Sequence, residues 1–120
     1  MKELQDLTPI ETIDWAIRDA CARSDYVSAE TIFRYALKEC EQNKQLDDRL
    51  LGNLHALADK HCRHGRINEA RRLVNLGLEV RSAVLGLEHP DVADSRERLN
   101  KIAKQARQVR AEAIRLLLSK

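Results

Sequence analysis

The feature that most constrains the fold of this chain is a pattern of small and large apolar residues that occurs twice. Ala29 follows a turn and precedes Phe33 by four residues, and Ala70 precedes Val74 in the same way. Two helices can cross closely only where side chains are short, and the larger residue fills the space beside the crossing. Because Ala29 and Ala70 are 41 residues apart, we interpret the pattern as a repeated pair of helices.

Apolar residues recur at helical intervals along five segments of the chain. Cap signals mark their ends: Thr8-Pro9-Ile10-Glu11 and His89-Pro90-Asp91 suit helix starts, and Gly65 suits a left-handed helix end. The last segment has no glycine or proline after Pro90, so an unusually long helix is expected. The predicted helices are 9–23, 26–41, 47–64, 67–85 and 90–118.

Length and composition agree with a small all-α domain. The chain has 120 residues, which suits one domain over residues 1–120. It contains four glycines and two prolines, and 43% of its residues are hydrophobic. This hydrophobic share is too high for a disordered tail, and the scarcity of helix breakers favours helices.

The second hairpin carries a run of residues in a fixed register: Leu78-Glu79-Val80-Arg81, then Val84-Leu85-Gly86, then His89-Pro90-Asp91. Before and within this run come Leu54, Leu57, Ala58, His61, Gly65, Ile67, Ala70, Val74 and Gly77-Leu78. With this spacing the hairpin resembles the tetratricopeptide repeat (TPR) family, and the run looks like the longer repeat variant of about 42 residues found in kinesin light chains. The resemblance covers roughly residues 9–106, and it is strongest over residues 50–93.

This resemblance implies antiparallel helical hairpins stacked as a short right-handed superhelix of about 2.5 repeats. Three positions depart from the family pattern: Ile17 replaces a small residue, and Arg96 and Asn100 replace an apolar and a small residue. No turn follows Ala103. The third repeat is therefore expected to be a half-repeat, whose helix runs on as a cap or as a docking arm.

The resemblance further implies a concave groove, lined by the first helix of each repeat, that binds a partner peptide or protein. The chain is accordingly expected to be a non-catalytic adaptor or scaffold. Some family members clamp a peptide carboxylate with Lys and Asn, but the matching positions here are His, Ala and Asp, so a C-terminal carboxylate ligand is not expected. The alternatives for the groove positions are a solvated helix face and, for Trp15, the core. The expected partner-binding residues are Trp15, Arg18, His55, Asp59, Arg63, Arg98 and Lys101.

Neither catalysis nor metal binding is expected. His55 and Asp59 are four residues apart and could form a hydrogen-bonded pair, but the sequence has no nucleophile motif, phosphate loop or carboxylate pair to complete a catalytic site. His61 and His64 are too few for a zinc site, and His61 is expected to pack between the hairpins, where the family often has a large ring. The sequence predicts no enzyme activity, no cofactor and no metal.

The charge distribution leaves two other functions open. Residues 1–60 carry eight basic and twelve acidic residues, a net charge of −4, whereas residues 96–120 carry eight and two, a net charge of +6. The basic end could bind an acidic partner, associate head-to-tail with another copy, or be a solvated helix face. It could also bind nucleic acid, although it has no aromatic residue for base stacking.

The last helix also carries an apolar stripe at roughly heptad spacing, from Ala103 and Ala106 to Leu117 and Leu118. The stripe could cap the repeats or pair with a second chain as a homodimer.

The sequence predicts a cytoplasmic protein. Its three cysteines are widely spaced and form no CxxC motif, which fits a reducing compartment. The polar stretch from Met1 to Leu7 does not resemble a secretory signal, and Met1 is compatible with a natural start. No apolar run approaches the roughly 20 residues that a membrane span needs.

Overall fold

In a computed structural model, which describes residues 9–119 and side chains from residue 11 onward, the chain is all-helical. The five helices are α1 (Pro9–Ala22), α2 (Tyr26–Asn43), α3 (Asp48–Arg63), α4 (Ile67–Leu85) and α5 (Pro90–Leu118). The described residues contain no β-strand. The five predicted helices are confirmed, with bounds that differ by two residues at most.

The helix ends follow local cap chemistry. The Asp25 carboxylate accepts hydrogen bonds from the backbone N–H and the hydroxyl of Ser28, at 3.2 and 2.7 Å, and starts α2. Asp47 accepts from the Leu50 N–H at 2.9 Å and starts α3. Gly65, with φ of 76°, provides the left-handed residue between α3 and α4. The cap predicted at Thr8 lies outside the described residues.

Two antiparallel hairpins, α1–α2 and α3–α4, pack around the repeated small residues. Ala29 and Ala70 are fully buried, and so are Phe33 and Val74 four residues after them. At Gly77 a β-carbon would lie 3.5 Å from the side chains of Leu51 and Leu54, because α3 crosses α4 closely there. The predicted small residues are therefore buried at matching positions of both hairpins, and a close approach of two helices is seen at Gly77 in the second hairpin.

The hairpins stack mainly through α2 and α4, and a buried ring extends this contact at one end. The His61 ring meets the Tyr26 ring edge-on at a centroid distance of 4.8 Å. Its Nδ1 accepts a hydrogen bond of 2.8 Å from Nε of Arg66. The predicted packing of His61 between hairpins is confirmed.

Helix α5 divides into a packed half and an exposed half. Val92, Ser95 and Ile102 are buried against the preceding helices. Arg81 of α4 donates to the Ser95 hydroxyl at 2.8 Å and to the Asp91 carbonyl at 3.0 Å. From residue 107 to residue 119 every side chain is exposed. Of the two alternatives that the sequence left open, a cap or a docking arm, capping describes the first half of the helix, and the second half packs on nothing in the described molecule.

The molecule is elongated, with principal extents of 60 × 37 × 18 Å. Helix α5 has 29 residues, which corresponds to roughly 43 Å, whereas α4 has 19 residues, or roughly 28 Å. The end of α5 therefore projects beyond the hairpins. Within the described residues, no helix combines the length and the apolar character that a bilayer crossing requires.

Candidate functional site

A groove of about 430 Å³ lies between α3 and α5, beside the start of the projecting helix. Its apolar lining is contributed by Val74 and Ile102, and charged side chains of both signs surround these residues. Four of the seven predicted site residues meet here, namely Asp59, Arg63, Arg98 and Lys101. The remaining lining residues are Cys62, Asp94, Glu97 and Gln105.

An ion-pair network centred on Arg98 joins the two walls of the groove. Its guanidinium lies 3.6 Å from the Asp59 carboxylate on α3 and 3.6 Å from the Asp94 carboxylate on its own helix. Arg81 lies 3.7 Å from Asp94 and extends the network to α4. Since these groups are partly exposed, the network mainly fixes the orientation of Arg98 and contributes little net stability.

Arg63 and Lys101 differ from Arg98, because neither has an ion-pair or hydrogen-bond partner among the described side chains. Both cations are exposed and both line the groove, together with the Glu97 carboxylate, which likewise has no partner among the described side chains. Two unpaired cations on opposite walls of a groove are suited to bind a carboxylate from another molecule, since Arg and Lys donate charge-assisted hydrogen bonds to such groups.

His55 is not the exposed groove residue that the sequence suggested. Only 7% of its surface is exposed, and its Nε2 has no hydrogen-bond partner in the described part of the chain. Burial, followed by the positive charges of Arg98 and Arg81, lowers the His55 pKa to about 4, so the ring is neutral at physiological pH. His55 therefore belongs to the packing of the molecule and does not offer a free surface to a partner.

Trp15 and Arg18 lie on α1, apart from the residues that line the groove. About half of the Trp15 surface is exposed, so it is not a core residue, and it lines a separate depression on the first hairpin with Asp19, Arg23 and Ile32 among others. Arg18 is exposed and pairs with Asp14 at 3.2 Å. The seven predicted residues therefore divide into a groove cluster, a buried histidine and a separate site on α1.

Sequence reasoning missed Asp94 and Glu97 as groove residues. A signal was available for Asp94, because it lies four residues before Arg98 on the same helix, and such pairs face each other. Glu97 offered the same signal, because it lies four residues before Lys101. Cys62 gave no comparable signal, because the groove is formed by the relative position of two helices.

Another depression lies at the turns between α1 and α2 and between α3 and α4. Its lining includes Asp25, Tyr26, Glu30, Arg66 and Arg72. Most of its charges are already used within the molecule: Arg72 pairs with Glu30 at 3.0 Å, Asp25 caps α2, and the Arg66 guanidinium lies 4.7 Å from the centre of the Tyr26 ring. These contacts fasten the two hairpins together, so we assign this depression a structural role.

The geometry does not assemble a reaction centre from the candidates weighed on the sequence. Asp59 pairs with Arg98, and the free ring nitrogen of His55 is not bonded to Asp59. No group of three or more His, Cys, Asp or Glu residues in the described chain is arranged to hold a metal ion. All three cysteines are free, and burial raises the pKa of the Cys62 thiol in the groove, which makes it a weaker nucleophile at neutral pH.

In comparisons with known proteins, no family model, no curated protein and no solved structure matches the chain.

Proposed function

We propose that this protein is a non-catalytic interaction module that binds a peptide segment of a partner protein in the groove between α3 and α5. The observation that carries the proposal is the pair of unpaired cations, Arg63 and Lys101, on opposite walls of a groove whose apolar lining is Val74 and Ile102. Such a groove is suited to an extended or helical segment with an acidic side chain near an apolar one.

We further propose that the fold is a TPR-like right-handed superhelix of about 2.5 repeats, and that the protein acts as a cytoplasmic adaptor or scaffold. Three features support the assignment of the fold. Small residues are buried at matching positions of both hairpins, α2 packs on α4, and α3 lies beside α5, where Gln105 Nε2 donates to the Cys62 carbonyl at 3.4 Å. The free cysteines agree with a reducing compartment.

The proposal is tested with a library of displayed peptides and two matched charge variants of the full chain. The groove variant is Arg63→Glu with Lys101→Glu. The control is Lys38→Glu with Arg71→Glu, which makes the same change of charge on exposed positions of α2 and α4. Peptides selected by the wild-type protein are expected to be enriched in Asp or Glu, to bind the control normally and to bind the groove variant at least about tenfold more weakly.

Amide chemical shifts then locate the binding site. The selected peptide is expected to shift the resonances of residues 59–63 and 98–105 and to leave those of α2 unchanged. If no peptide is selected, or if the selected peptides bind both variants equally, the groove is not the binding site. A steep loss of affinity for DNA with increasing salt, together with no peptide binding, would instead favour the nucleic-acid alternative.

A further inference from the structure

The projecting part of α5 is an amphipathic helix whose side chains are all exposed beyond residue 106 in the described molecule. We call residues 104–118 the arm. All its side chains from residue 107 onward are exposed, and its apolar residues include Val109, Leu116 and Leu117, each more than half exposed. Single exposed apolar residues are common on protein surfaces, but several on one short helix form a contiguous patch that marks an interaction site.

The apolar stripe of the arm continues the interface that α5 already makes with the hairpins. In the packed half the stripe consists of residues spaced alternately three and four apart, and the same spacing continues through the arm without interruption. The stripe comprises Val92, Ser95, Leu99 and Ile102 in the packed half and Ala106, Val109, Ala113 and Leu116 in the arm. Because α4 packs on this side of α5 and is much shorter, the surface left open has the form of a helix-binding face.

Charge on the arm indicates what kind of helix it binds. Residues 104–118 carry four basic residues and one acidic residue. The acidic residue, Glu112, already pairs with Arg115, whereas Lys104, Arg107 and Arg110 have no partner among the described residues. Arg110 follows Val109 directly and therefore borders the stripe. An occupant with acidic residues beside its own apolar stripe would complement this border.

The arm of a second copy fits this arm poorly in an antiparallel pair. In an antiparallel pair of arms about a two-fold axis, Val109 would lie across from Ala113 of the other copy, and Ala106 across from Leu116. The symmetry would then place Arg110 and Glu112 each near its own counterpart, so like charges would face each other on both sides of the stripe. The unpaired cations of the two arms would also be brought together.

We infer that the arm is a second interaction surface, which binds an acidic amphipathic helix of a partner protein by extending the packing of α4 along α5. This surface adjoins the groove, because Gln105 of the arm lines the groove. The two surfaces use different residues, since Val109, Ala113 and Leu116 are not among the residues that line the groove. The bound helix would place leucine-like side chains against Val109, Ala113 and Leu116 and carboxylates near Arg110 and Arg107.

The test uses the full chain and two synthetic helical peptides of three heptads, about 21 residues each. Both peptides have leucine at the stripe positions, and they differ only at the flanking positions, which are glutamate in one and lysine in the other. Fluorescence anisotropy is expected to show that the glutamate peptide binds at least about tenfold more tightly than the lysine peptide.

Variants assign that binding to the arm. Val109→Asp with Leu116→Asp is expected to abolish it while leaving the circular dichroism of the folded hairpins unchanged, since both residues are exposed. Leu87→Asp, at an exposed apolar residue away from the arm, is the matched control and is expected to bind normally. Arg107→Glu with Arg110→Glu is expected to reverse the preference between the two peptides.

Three results would overturn the inference. The first is equal binding of the two peptides by the wild-type chain, or binding of neither. The second is a dimer in light scattering that the Val109→Asp, Leu116→Asp variant dissociates, which would make a second copy the occupant. The third is binding to vesicles containing anionic lipid that the same variant abolishes, with no binding of the glutamate peptide, which would make a membrane surface the occupant.

Discussion

Protonation of His55 links the packing of three helices to pH. The neutral ring is buried on α3, and the charges that act on it come from Arg98 and Arg81, which lower its pKa, and from Asp94 and Asp59, which raise it. A proton on this ring would place a third positive charge beside two guanidinium groups in a poorly hydrated site. The protein should therefore lose stability when acidification forces this protonation.

The sign and the pH range of the effect follow from the two pKa values. In the unfolded chain His55 has an ordinary pKa near 6.5, and in the folded protein the value is about 4. Between these values the unfolded state binds more protons, so stability is complete above about pH 6.5 and is lost as the pH falls toward 4. For this difference in pKa the loss approaches about 3 kcal/mol.

We predict that His55→Gln removes most of this loss, because glutamine does not titrate. The free energy of unfolding, measured with urea at pH 7 and pH 4.5, should fall by about 2 kcal/mol less in the variant than in the wild type. His64→Gln, at an exposed histidine, should behave like the wild type. An equal fall in the His55→Gln variant and the wild type would show that His55 is not held neutral by the fold.

The placement of His55 also shows where sequence reasoning reaches its limit. The family resemblance placed His55, Asp59 and Arg63 together on the groove side of α3, and the structure has Asp59 and Arg63 in the groove but not His55. Whether a side chain on that side of α3 is exposed depends on which residues of the neighbouring helices pack against it. Gly77 of α4 lies close to His55 Nε2, where an added β-carbon would be 3.8 Å away. The charges of Arg98 and Arg81 on α5 and α4 act on the ring. No pattern within α3 could have predicted these neighbours.

The positions of the helices were the part of the structure that the sequence predicted best. Starts and ends depend on one or two residues whose chemistry is local, such as Asp47 or the His89-Pro90 pair, so their positions can be read directly from the sequence. The length of α5 was also predictable, because nothing interrupts it. That its second half packs on nothing was not predictable, because its apolar spacing matches that of the packed half.

The glycines in α3 and in the turn after it provide a test of this local control. Gly52 lies inside α3, and an added β-carbon would meet no atom within 4 Å. Gly65 ends the hairpin turn with φ of 76°, where an added β-carbon is strained whatever the space around it.

We predict opposite effects from one substitution at these two positions. Gly52→Ala should raise the free energy of unfolding by about 0.5–1 kcal/mol, because alanine favours the helix and restricts the unfolded chain. Gly65→Ala should lower it by about 1 kcal/mol. Urea denaturation followed by circular dichroism measures both values, and effects of the same sign would contradict the backbone geometry described here.

Cooperative unfolding of the two hairpins depends on the contacts between them and is therefore a property of the whole molecule. A repeat array gains stability from the contacts between neighbours, and a short array depends on them strongly. Here these contacts include the Tyr26–His61 ring pair and the Glu30–Arg72 ion pair, in addition to the α2–α4 packing. We therefore expect the hairpins to unfold in one transition.

Trp15 is the single tryptophan of the chain and lies in the first hairpin, so its fluorescence reports on that hairpin, whereas circular dichroism reports on all five helices. Leu54→Ala creates a cavity in the second hairpin, where Leu54 is fully buried, and should cost about 2–5 kcal/mol. If the hairpins are coupled, this substitution should shift the fluorescence and dichroism transitions to the same lower urea concentration. Leu87→Ala, at an exposed position, should shift neither.

A fluorescence transition that stays in place while the dichroism becomes biphasic would show that the first hairpin folds without the second. The contacts at His61 and Arg72 would then contribute little to the stability of the array.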